Sequence, residues 1–135
     1  MGQVAENVKS VLTESLEASA NIAAYQWHGM KMTANGEVTV CAGETDIPIG
    51  ILTNDPDADG KPAQILVVGR CPVVAGETIT YGDLIRIDSN GHAMIFSAPT
   101  DTTCYQVGRC IRGALITEMA VCEINCCSPV KGVAA

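Results

Sequence analysis

The chain has 135 residues, enough for one domain that buries roughly two-thirds of its unfolded surface without help from disulfides or a metal. Its net charge of −7, from 15 acidic and 8 basic side chains, opposes phosphate backbones and anionic lipid, which argues against nucleic acid and membrane as partners. Nearly half of the residues are apolar but only 4% are aromatic, so the core is built from Val, Ile, Leu, Ala and Met, and an aromatic-lined cofactor pocket is disfavoured.

Met1 to Glu6 carries neither a basic n-region nor an apolar h-region, and Glu6 stands where myristoylation wants Ser or Thr. The apolar run Ile65–Val68 is too short to span a bilayer. A protein made in the cytosol that stays soluble is expected. Residues 1–20 differ from the rest: they form a polar arm that leads into a short strand over Val11–Glu17, or else a helix with Val4, Val8, Val11 and Leu12 on one face. The extended arm is the preferred reading, ahead of a single β domain over 21–135.

From Ala24 onward the periodicity is that of strands. Tyr25–Thr33 and Glu37–Cys41 flank Asn35-Gly36, and Ile47–Thr53 follows a turn. Ala63–Gly69 is apolar on both faces, as a central strand is, whereas Pro72 confines Cys71–Val74 to an edge or a bend. After a short piece at Ile79–Tyr81, Leu84–Ile87 and His92–Phe96 flank Asn90-Gly91. Gln106–Arg112 and Met119–Ile124 close the pattern, with room for a helical turn near Thr100–Thr103 or Ala114–Glu118.

Much of this is said twice. The Asn-Gly turns lie 55 positions apart, Gly50 and Gly108 lie 58 apart, and Tyr25 and Tyr81 open the two stretches. Asn-Gly between alternating runs predicts hairpins with type I′ turns, which need φ > 0 at both central residues. The fold class is therefore all-β, a compact barrel or sandwich of two similar β-units with an extended N-terminal arm.

Neither unit gathers a nucleophile, a base and an acid. Asp55, Asp57, Asp59 and Gly60 open a D-x-D-x-D-G calcium loop, but its twelfth position is Leu66 instead of a bidentate Glu, and no helices flank it. An acidic turn explains the same residues. The seven cysteines, Cys41, Cys71, Cys104, Cys110, Cys122, Cys126 and Cys127, contain no C-x-x-C, so buried or idle thiols compete with zinc. Their odd number leaves an intermolecular disulfide open outside the reducing cytosol. A Cys–His hydrolase has no spacing to support it; His92 is expected in solvent, and His28 at an interface or partly buried. Tyr25 and Trp27 are either core anchors or contact hot spots.

The run Leu12–Tyr25, with its IAAY entry, resembles the opening of the small capsid decoration (cement) proteins of tailed bacteriophages. Asn35-Gly36, Pro48–Ile51, Val73–Glu77, Tyr81–Leu84, Asn90-Gly91 and Val107–Arg109 follow in the same order, over residues 10–125. The cysteines, especially Cys126-Cys127, depart from that pattern. The resemblance implies a structural, non-enzymatic virion protein without a cofactor. Such a protein is a homotrimer on the outer surface of the head, clamping subunits of the major capsid protein. Leu12 and Leu16 in the arm, and Ile22, Tyr25 and Trp27 at its entry, are then the expected contact residues. Deleting residues 1–20 is expected to abolish binding and leave the β domain folded.

Overall fold

A computed structural model describes residues 8–132. Its strands are β1 (Lys9–Glu17), β2 (Gly29–Met32), β3 (Val38–Val40), β4 (Gly50–Leu52), β5 (Pro62–Val74), β6 (Leu84–Ile87), β7 (Ala93–Ile95), β8 (Tyr105–Gln106), β9 (Gly108–Arg112), β10 (Met119–Asn125) and β11 (Val130–Lys131). The all-β expectation is met by one curled antiparallel sheet, a half-barrel, in the order β3-β2-β4-β5-β10-β9-β6-β7, with β1 also laid on β5. β8 and β11 form a separate pair. One continuous core, including Met30, Leu52, Ile65, Leu66, Val73, Ile85 and Val107, fills the curl.

β5 is the spine. It pairs with β1 from Pro62 to Arg70, with β4 at Ile65 and Leu66, and with β10 from Val68 to Val74. The two apolar segments read from the sequence are thus one strand that runs through Pro72. Beyond Arg70 only β10 ladders onto it, and a strand laddered on one side tolerates the missing N–H of a proline.

The duplication extends to individual hydrogen bonds. β2 and β3 become β6 and β7 at a spacing of 55 residues, and Met30↔Gly50 becomes Ile85↔Gly108. Lys31–Asp46, at 3.1 Å, becomes Arg86–Asp101 at 3.7 Å, and each aspartate also accepts a bond from a backbone N–H, that of Ala42 or of Ser97. The ladder of β1 on β5 recurs as that of β5 on β10, Leu16↔Ala63 becoming Val73↔Ala120. Unit one therefore comprises β1–β4 and the first half of β5; unit two comprises the second half of β5 with β6, β7, β9 and β10.

Both Asn-Gly loops keep the Gly in the left-handed region, Gly36 at φ 81 and Gly91 at φ 78, while Asn35 and Asn90 have negative φ. The loops are therefore three-residue loops with a type I turn and a glycine bulge, not type I′ turns. In each, the Gly N–H donates to the carbonyl three residues back, that residue's own N–H donates to the carbonyl four residues on, and its side-chain oxygen accepts two more N–H bonds: Thr33 in one loop, Asp88 in the other. At Gly50 and Gly108 a Cβ would collide with the carbonyl oxygens of Leu66 and Glu123, so both strands need glycine to approach their neighbours.

Several expectations change. The expected strand over Val11–Glu17 is present as β1 but starts at Lys9 and is paired along β5, and Ala18 behind it is fully buried and bridges Val38. Removing residues 1–20 would therefore strip a strand from the sheet as well as any contact it makes. Val4 lies outside the described residues. Tyr25–Thr33 is not one strand: Ala23–Tyr25 is a 3-10 turn, Trp27 stands at φ 68, and the strand starts only at Gly29. Ser97–Asp101 and Leu115–Glu118 are hydrogen-bonded turns rather than helices. The units also align one residue away from Tyr25/Tyr81. Trp27 and Gly82 share a left-handed backbone and the same bond, N–H to the carbonyl of Leu52 or Cys110.

A candidate interaction surface

The five residues expected at a contact separate. Leu12 is exposed on β1, where its register with Val68 is bulged, and Leu16 is half-buried against the core. Tyr25 is exposed and meets His28 edge-on at 5.5 Å. Trp27 is half-buried, its carbonyl accepting the Val74 N–H at 3.1 Å. Ile22 is only 2% exposed, a core residue whose counterpart Ile79 is equally buried, so it has no surface to offer.

The acidic loop is a turn that the fold uses twice. Gly60 donates to Ala18 and Lys61 to Ala58; Thr117 donates to Ala75 and Glu118 to Leu115, with Gly60 at φ 84 and Thr117 at φ 71. Unit two builds the same turn without any of the three aspartates. In unit one Asp57 pairs with Lys61 at 2.8 Å, which holds its carboxyl below the usual range. Asp59 instead faces Glu37, whose carboxyl is raised by desolvation and then by that neighbouring charge. Turn geometry accounts for these residues, and they do not converge.

Six of the cysteines are buried and all seven are free; Cys127 alone is exposed, so an intermolecular bridge would have to use it. Cys71, Cys122 and Cys110 lie in a row across β5, β10 and β9. Neighbouring strands stand about 4.8 Å apart, so the outer two are about 10 Å from each other, and three sulfurs in a row cannot converge on one zinc at about 2.3 Å. Among the described residues no three His, Cys, Asp or Glu side chains are placed to hold a metal. Burial pushes the thiols of Cys41, Cys71 and Cys126 up to about 12, away from the thiolate that nucleophilic chemistry requires. A bond with Cys122 draws the Cys110 thiol down, and the same bond together with burial pushes Cys122 up.

The two histidines meet each other. Their rings are 5.0 Å apart at the seam between the units, so His92 is half-buried instead of solvated. Desolvation holds His28 below its ordinary 6.5, with a bond to the carbonyl of Gln26 acting the other way.

What the surface offers is apolar. Val11 is 80% exposed beside a groove of about 550 Å³ where β1, β5 and β10 meet. Tyr81, 78% exposed, and Leu115 line another of about 470 Å³. A third, of about 290 Å³, runs between Leu16, Met32, Ile49 and Val67. The residues that sequence reading missed are Met32, Leu84, Ile95, Leu115, Ile116 and Met119, all exposed. Met32, Leu84 and Ile95 sit on strands that alternate toward the core, and only the spacing of the repeat could have flagged them.

No protein-family model matches the chain, and no curated protein matches it in sequence. Among solved structures it is similar to the head fiber gp8.5 N base of bacteriophage phi29, with a TM-score of 0.62 and 21% identity over 88% of this chain and 97% of that one. The two share a fold.

Proposed function

We propose that this chain is a non-enzymatic structural protein of a bacteriophage virion, seated as a homotrimer on the outer surface of the head and clamping subunits of the major capsid protein. The observation that carries the reading is the likeness to a head fiber base, which spans nearly the whole of both chains. The ordered motifs shared with capsid decoration proteins agree with it, as do buried thiols held in the protonated form and apolar side chains left on the surface. A trimer touching several capsid subunits gains from multivalency, since each later contact is effectively intramolecular. Leu12, Leu16, Tyr25 and Trp27 are the proposed contact residues. The likeness to a fibre base also supports a second reading, a base that seats a fibre on the head.

The test is quantitative mass spectrometry of purified particles, with and without mild surface proteolysis. Expected is a chain that co-sediments with DNA-filled heads and is lost on proteolysis while the shell stays intact. Copies approaching those of the capsid protein indicate a clamp, and a few per particle indicate a fibre base. A chain found only in the soluble fraction contradicts both.

A further inference from the structure

The two units touch through unlike faces. Gly29 of unit one lies against Ile87 of unit two so closely that a Cβ would come within 2.6 Å of its Cγ2. The Gly29 N–H donates to the Gly91 carbonyl at 2.8 Å, and Val40 and His28 close over Gly91. Unit two thus supplies a socket, Ile87 with the Asn90-Gly91 turn, and unit one supplies a plug, His28, Gly29 and Val40. At the 55-residue spacing each unit owns both. The socket of unit one is Met32 with the Asn35-Gly36 turn; the plug of unit two is Asp83, Leu84 and Ile95.

Among the described residues neither of these second parts is seated in a counterpart, although the Ile95 N–H donates to the Glu77 carboxylate at 2.9 Å. Met32 is 39% exposed, Leu84 40% and Ile95 37%, whereas Ile87 is 4% exposed. A Cβ at Gly36 would meet nothing within 4 Å.

We infer that chains associate head to tail, the unit-two plug of one chain entering the unit-one socket of the next, so that the joint between units is repeated between chains. The partner is a second copy of this chain because the fold already contains the complementary pair in use. Leu84 is larger than Gly29, and the groove of about 290 Å³ beside Met32 provides the room it needs. In unit two the positions that line this groove are Cys71, Val73, Ile87, Val107 and Ile124, and all are buried. The Leu84 N–H of one chain would meet the Gly36 carbonyl of the next, as Gly29 meets Gly91. Unlike faces form a ring if the rotation closes and an open row if it does not. The inference gives the self-association proposed above its surface, and it rests on that reading only for closure as a trimer.

The test uses the full chain carrying Cys127→Ser, with Met32→Cys and Leu84→Cys introduced in separate preparations and oxidised glutathione as oxidant. Oxidation joins the two introduced thiols as a disulfide, two electrons and two protons passing to the oxidant, which is released as two reduced glutathione thiols. Expected is a covalent dimer on non-reducing gels from the mixture, and none from either variant alone. Like-with-like dimers in the single preparations, or no dimer in the mixture, overturn the inference. As a second measurement, Leu84→Glu is expected to sediment as monomer with an unchanged far-ultraviolet spectrum where the parent chain sediments as a multimer. A monomeric parent, or a multimer indifferent to Leu84→Glu, overturns it as well. No capsid enters either measurement, so its failure and the failure of head binding are distinguishable.

Discussion

Unit one and unit two share a backbone and differ in what covers it. The carboxylate clamp on the hairpin, the bulged Gly turns and the close approach at Gly50 and Gly108 occur in both. On the inner face, however, unit one places Glu14, Leu16, Met32 and Ile49 where unit two places Cys71, Val73, Ile87 and Val107. The second set is buried and the first is partly or wholly exposed. The repeated features are those the fold requires. The divergent ones mark where one unit was released from packing and left with a surface to use.

Gly108→Ala drives a Cβ into the carbonyl of Glu123, and Gly50→Ala drives one into that of Leu66. Each is expected to cost about 3 kcal/mol or more, read from the urea midpoint; a loss in only one unit would mean that the repeat is not equally constrained. Leu52 and Cys110 occupy matching, fully buried sites. Leu52→Ala is expected to cost about 3 kcal/mol, and Cys110→Ala about 1 kcal/mol, in equilibrium unfolding.

Thr117→Gly relieves a β-branched residue at φ 71 in an exposed turn and is expected to stabilise by about 1 kcal/mol; Gly60→Thr is expected to reverse this, both read as shifts in Tm. The histidine seam gives a modest pH dependence. Because folding lowers the pKa of His28, the folded state binds fewer protons than the unfolded chain. Stability is full above pH 6.5 and declines as pH falls below it toward the folded-state value, and His28→Gln is expected to flatten that decline in denaturation midpoints.

The sequence made the hairpins legible because glycine punctuates alternating strands in both units. It misaligned the copies because two tyrosines, Tyr25 and Tyr81, suggested a pairing, whereas backbone conformation matches Trp27 to Gly82. No alternation can show that. The strand over Val11–Glu17 was legible from its alternation, and it begins two residues earlier; its place on β5 was not, because Thr13, Glu14, Ser15 and Glu17 give no buried face. Pro72 suggested an edge or a bend, and the edge is what the one-sided pairing beyond Arg70 provides. The open socket was hidden because Leu16, Met32, Ile49 and Val67 are scattered along the chain, and each is unremarked as a single apolar residue.

The proposed seat of this fold is the outside of a phage head. A cryo-electron microscopy reconstruction of the intact particle tests it most directly. Expected is density on the outer surface, above the major capsid protein, that accommodates copies of the 14.1 kDa half-barrel with the strands of both units resolved. Particles that contain the chain but carry it inside the shell or in the tail would contradict it.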